Sequence, residues 1–118
     1  MAGNAAPVQL KLKFAEVTFL QTVAEYGLKS AIAEDSKQAL ALTRPFHGLL
    51  FAGPRKAEYA PLLGLLRTGV TESKAYGSCE IALTPPQKEV LYSDCQKYRQ
   101  AFPVNPEQQN AIDKLKAA

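Results

Sequence analysis

His47 is the only histidine, and Cys79 and Cys95 the only cysteines, of the 118-residue chain. Any imidazole base, thiolate nucleophile or soft metal ligand must come from these three. A Cys–His pair needs adjacency in space and not in sequence, so a small cysteine-dependent enzyme using Cys79 and His47 is one reading of the inventory. No surrounding pattern supports it. The cysteines belong to no C-x-x-C pair, which leaves a structural zinc site short of ligands, and Cys95 falls on the apolar side of a predicted helix. His47 sits beside Gly48, between Phe46 and Leu49, a setting typical of a structural side chain. The chain has no Walker loop, G-x-G-x-x-G, H-E-x-x-H or G-x-S-x-G. The residue types therefore imply no catalytic group, no metal and no cofactor.

The acids and phenols add little. Glu34-Asp35 and the pair Glu89 and Asp94 read as solvated carboxylates in turns or on wet helix faces. Tyr59, Tyr76, Tyr92 and Tyr98 read as half-buried rings with hydroxyls in water. The cations break a rule. Gly53-Pro54-Arg55-Lys56 places two of them at the opening of a predicted helix, where the dipole favours negative charge. Such cations fit if they hold an anion together with the free backbone N–H groups, and a phosphate is the natural anion. Lys11 and Lys13 extend the set, giving Arg55, Lys56, Lys11 and Lys13 as an anion- or nucleic-acid-binding patch. With Phe14 and Phe19 expected in the core, no aromatic platform for bases accompanies it, and a net charge of +3 does not demand a nucleic acid.

The elements that must carry these residues are legible in parts. Residues 1–7 read as a flexible lead-in. Val8, Leu10, Leu12 and Phe14 alternate with Gln9, Lys11 and Lys13, the period of a half-buried strand over 8–14 with a charged edge. A helix follows over 14–32, apolar on two sides and weakened at Gly27, although the β-branched stretch Val17–Val23 admits a strand. Glu34-Asp35-Ser36 offers a cap for a short helix over 37–43, stopped by Pro45. The run at 48–52 reads as a short buried strand closed by Gly53-Pro54. A helix from about Arg55 must kink or restart at Pro61, and Gly69–Gly77 reads as a loop. Cys79, Ile81 and Leu83 mark a strand over 78–83. Thr84-Pro85-Pro86-Gln87 and Asn105-Pro106-Glu107-Gln108 each spell a helix start: a cap, an early proline and a glutamine three residues after the cap.

These elements predict an α+β fold, a sheet of about three strands packed by four or five helices. Residues 8–118 would form a single domain, in which 105–118 is a helix short enough to detach. A composition of 47% hydrophobic and 21% charged residues excludes a disordered chain. The start of the chain lacks a signal-peptide pattern, and no apolar run approaches the ~20 residues of a membrane span, so a cytoplasmic protein without membrane insertion is expected.

The segment Leu62-Leu63-Gly64-Leu65-Leu66 matches the L-x-x-L-L pattern of helices that dock into grooves. A separate signal is the apolar surface on both sides of the helix over 14–32, which together with the short last helix presents more apolar faces than a three-stranded sheet of this size covers. The leading expectation is a non-enzymatic protein-interaction module: an adaptor, an inhibitor or an accessory subunit, or a homo-oligomer. Leu62, Leu65, Leu66, Ile112 and Leu115 are its candidate contact residues. Phosphate-ligand or nucleic-acid binding is the alternative.

Overall fold

Alternation from Val8 to Lys13 and from Ser78 to Leu83 gives two strands, β1 and β2, which pair antiparallel with Val8 opposite Leu83 and Lys13 opposite Ser78. This register stacks Leu10 against Ile81 and Leu12 against Cys79 on the buried face, and sets Lys11 opposite Glu80 on the wet one. The computed structural model describes the backbone of residues 7–43 and 47–118, and the side chains of residues 7–34 and 56–118. Between the strands run two 30-residue helices, α1 (Phe14–Thr43) and α2 (His47–Tyr76); after β2 come α3 (Pro85–Ala101) and α4 (Pro106–Ala117). Among the described residues the fold is thus α+β, with four helices and a two-stranded sheet, and β1 is one residue shorter than its pattern suggested.

The expected third strand is absent: residues 48–52 lie in the first turns of α2. A short apolar run does not distinguish a buried strand from a buried helix turn by period alone. The same helix continues through Pro54 and Pro61 and absorbs the segment 69–76 expected to be loop. Pro61 is tolerated because both it and Ala57, whose carbonyl loses its partner, are exposed to solvent. Gly69 is a contact residue here and not a breaker. A Cβ there would stand 3.0 Å from Val17 Cγ2, 3.1 Å from Ile81 Cγ2 and 3.2 Å from Cys79 Sγ, so the glycine lets α2 lie directly on α1 and β2. Gly77 ends α2 at φ 87°, and its N–H closes the last turn on Ser73 O at 2.7 Å. Likewise α1 runs through Gly27 and incorporates 37–43. The lead-in residues 1–6 and the stop at Pro45 lie outside the described residues.

Both glutamine capping boxes form. Gln87 N–H donates to Thr84 Oγ1 at 3.3 Å and Gln108 N–H to Asn105 Oδ1 at 2.8 Å, each glutamine accepting in return from its cap's N–H. The start of α1 is closed differently. Buried Glu16 accepts from the Lys13 N–H at 2.8 Å and from Lys114 Nζ of α4 at 2.7 Å. Ala111, Ile112 and Leu115 are buried beside it, so α4 is seated on the core shared by both strands and all four helices. No helix among the described residues is long and apolar enough to cross a membrane.

Candidate functional site

The core-facing arc of α3 carries Leu91 and Cys95, both fully buried, and Asp94 lies between them in the sequence. Asp94 is therefore drawn inward and is only 4% exposed. Its carboxylate rests on α1 at Gly27, where a Cβ would fall 2.1 Å from Oδ2, 2.3 Å from Cγ and 2.7 Å from Oδ1. Only glycine leaves that space. From α2, the Tyr59 hydroxyl donates to Asp94 Oδ2 at 2.8 Å. Oδ1 accepts no hydrogen bond among the described residues. Burial pushes the Asp94 carboxyl above the ordinary aspartate range, opposed by the Tyr59 hydrogen bond and the charge of Lys97.

This carboxylate lines a cleft of about 890 Å³ between α1, α2 and α3. Among the described residues, Glu34, Glu58, Glu89 and Asp94 face a single cation, Lys97, across it, in a chain whose formal net charge is +3. Charge is thus segregated, and a concave wall focuses the negative potential. Ser30, Ser93 and Gln100 add neutral donors and acceptors. Tyr26 forms part of the wall and belongs to an edge-to-face aromatic ladder, 5.5 Å from Tyr98 and 5.6 Å from Phe102; Phe19 also meets Tyr98 at 5.5 Å. The arrangement presents a fixed acceptor, an aromatic wall and an acidic rim, the elements of recognition.

The thiols are arranged otherwise. Cys95 is fully buried and pushed up to about 12, first by burial and then by the neighbouring Asp94 charge. Burial and then Glu72 also raise Cys79. Neither is poised as a thiolate at neutral pH. Cys79 packs at Gly69, whereas His47 opens α2 about 33 Å of helix axis away, so the two do not form a pair. No group of three or more His, Cys, Asp or Glu side chains among the described residues converges as a metal site.

The candidate cations divide. Arg55 and Lys56 stand in the interior of α2, where the backbone N–H groups are already used, so the helix-opening argument for an anion does not apply to them. Lys56 is exposed, and the Arg55 side chain lies outside the described residues. Lys11 and Lys13 do come together. With Lys114, Gly77 and Ser78 they line a groove of about 510 Å³. Lys56 is about 30 Å of helix axis from Tyr76, next to that groove, so the four cations share no face.

Of the candidate contact residues, Leu62, Leu66, Ile112 and Leu115 are core, and Leu65 is half-buried against it. Four of these five side chains fill the domain, and only Leu65 keeps part of its surface outside the core. Among the described residues, the large apolar side chains that reach solvent are Phe14, expected inside but 42% exposed, Tyr76 at 82% and Phe102 at 44%. Sequence reading missed Asp94 and Tyr59, assigning the first to a wet helix face and the second a hydroxyl in water. The available signal was Asp94 next to Cys95 on the apolar arc, together with an unexplained glycine inside α1. Comparison of the chain with protein-family models, with curated proteins and with solved structures finds no match.

Proposed function

We propose that the protein is a non-enzymatic interaction module, an adaptor, inhibitor or accessory subunit, that engages its partner through the acidic cleft between α1, α2 and α3. The observation that carries this reading is Asp94, a buried carboxylate in the wall of the cleft, fixed on one oxygen by Tyr59 and without a donor among the described residues on the other. Preorganised acceptors of this kind give specificity at low ordering cost. A photo-crosslinking residue at Ser30 or Gln100 tests it. Capture of one defined protein, lost on Asp94→Asn, supports the reading; capture that is the same from Lys116, on a different element, refutes it.

A second reading has its own support. Lys114 joins Lys11 and Lys13 around the basic groove, and the exposed rings of Phe14 and Tyr76 flank the Lys13–Ser78 pair. Cations interleaved with aromatic rings suit single-stranded nucleic acid. Salt-dependent binding of a labelled oligonucleotide, weakened by Lys11→Ala and Lys13→Ala but not by Lys56→Ala, is the expected result. Equal weakening by all three removes the groove from consideration.

A further inference from the structure

We infer that the cleft receives a cationic nitrogen group, a primary ammonium or guanidinium carried on a flexible chain, with Asp94 Oδ1 as its acceptor. This rests on the reading of the cleft as the recognition site and names the chemistry that the site selects.

Three independent features converge on it. The first is the vacant acceptor. Asp94 is 4% exposed, its Oδ2 is taken by the Tyr59 hydroxyl, and its Oδ1 has no donor among the described residues. With Oδ2 already satisfied by a neutral hydroxyl, a charged donor adds more on Oδ1 than a hydroxyl or amide does, because a charge-assisted hydrogen bond is the stronger one. The second is the charge of the wall, where among the described residues Glu34, Glu89 and Asp94 outweigh Lys97. Lys97 is exposed and makes no hydrogen bond to Asp94, though its charge is felt there. An anionic ligand would be repelled by this rim, and a neutral one would leave the negative potential of the wall unopposed. The third is Tyr26, whose ring offers a cation the quadrupole attraction that neutral groups lack.

The rim also speaks to length. Glu34 of α1 and Glu89 of α3 stand on different helices of the wall, while Asp94 is buried. A ligand with one cation on Asp94 and a second a short chain away satisfies both levels. Two sources carry that chemistry: a free polyamine, or lysine and arginine side chains presented by a protein segment.

Isothermal titration calorimetry on the intact chain separates them, with spermidine as one probe and a blocked peptide bearing adjacent Lys and Arg as the other. Putrescine's neutral counterpart 1,4-butanediol and the same peptide with acetylated lysine and citrulline serve as uncharged controls. Binding of spermidine, of the basic peptide or of both, with no heat from the controls, is expected. Asp94→Asn, which keeps an acceptor for Tyr59, should weaken binding at least tenfold. The rim variant Glu34→Gln/Glu89→Gln, which leaves the core untouched, should weaken it about threefold, and Glu107→Gln on α4 should not change it. Spermidine alone identifies a free amine as ligand, and the peptide alone identifies a protein segment. The inference is overturned if neither cation binds at millimolar concentration, if the controls bind equally, or if the Asp94 and rim variants bind like the parent. Absence of cation binding alongside a cleft crosslink to a partner refutes this ligand class and leaves the interaction reading standing. Asp94-dependent spermidine binding with no protein captured does the reverse.

Discussion

Replacing Gly27 by alanine isolates the packing that builds the cleft. In an open helix interior the change stabilises by about 1 kcal/mol, because alanine is the better helix former. Gly64, also helical, should behave in that way, since a methyl group there would meet nothing within 4 Å. At Gly27 the methyl would overlap the Asp94 carboxylate, its nearest atom only 2.1 Å away. The carboxylate must then turn, which breaks the 2.8 Å bond from Tyr59. A hydrogen bond to an ionised group contributes about 1.5–3 kcal/mol, and the overpacking adds about 1–3 kcal/mol. Less the gain in helix propensity, Gly27→Ala should cost about 3 kcal/mol, a fall of roughly 12 °C in Tm for a domain of this size. Urea denaturation followed by circular dichroism measures it, with Gly64→Ala as the control. Adding Asp94→Ala to Gly27→Ala should recover about 2 kcal/mol relative to additive losses, because the overlap is gone. A Gly27→Ala protein as stable as Gly64→Ala would show that Asp94 does not rest on α1.

Other perturbations probe the rest of the molecule. Because burial raises the folded Asp94 carboxyl above its unfolded value, the stability it contributes is full below the unfolded value and lost as pH rises through the folded one. Asp94→Asn should therefore gain stability relative to the parent as pH rises from the ordinary aspartate range towards neutrality, read from Tm at each pH; a constant difference would refute the assignment. Both thiols should resist alkylation in the native protein at mildly alkaline pH and react at once in denaturant, since Cys95 is pushed up to about 12 and Cys79 is raised as well. Gly77→Ala should cost about 1 kcal/mol through the left-handed backbone at φ 87° alone, since a methyl there meets no other atom, and thermal melting checks it. Glu16→Ala removes the acceptor shared by the Lys13 N–H and Lys114, and should lower stability by about 2 kcal/mol in chemical denaturation.

Much of the fold was legible where local chemistry is decisive. The strict alternation at 8–13 and 78–83 and the two proline–glutamine caps place β1, β2, α3 and α4 within a residue or two. The long helices were legible only in pieces, at 14–32, at 37–43 and from about Arg55, because Gly27, Gly69, Pro54 and Pro61 punctuate their sequences. Two of those interruptions are answered by partners distant in the chain: Asp94 fills the space at Gly27, and Val17, Ile81 and Cys79 fill that at Gly69. The site stayed hidden for the same reason. An aspartate on α3 becomes a buried acceptor only when the bare backbone of α1 and a phenol from α2 surround it.

The equal lengths of α1 and α2 bear on how the chain finds its fold. Each has 30 residues, and they run out from the end of β1 and back to the start of β2, so the strand ends meet because the helices match. Closing the strands directly, with 14–77 still unfolded, would carry a chain-entropy cost about 3 kcal/mol above that of bringing two finished helices together across the three residues between them. Helix formation and pairing should therefore precede the sheet, and strand register is inherited from helix length. A one-residue deletion in the exposed side of α2 would shift Ser78 along and around the helix axis, and Lys13 would no longer find its partner.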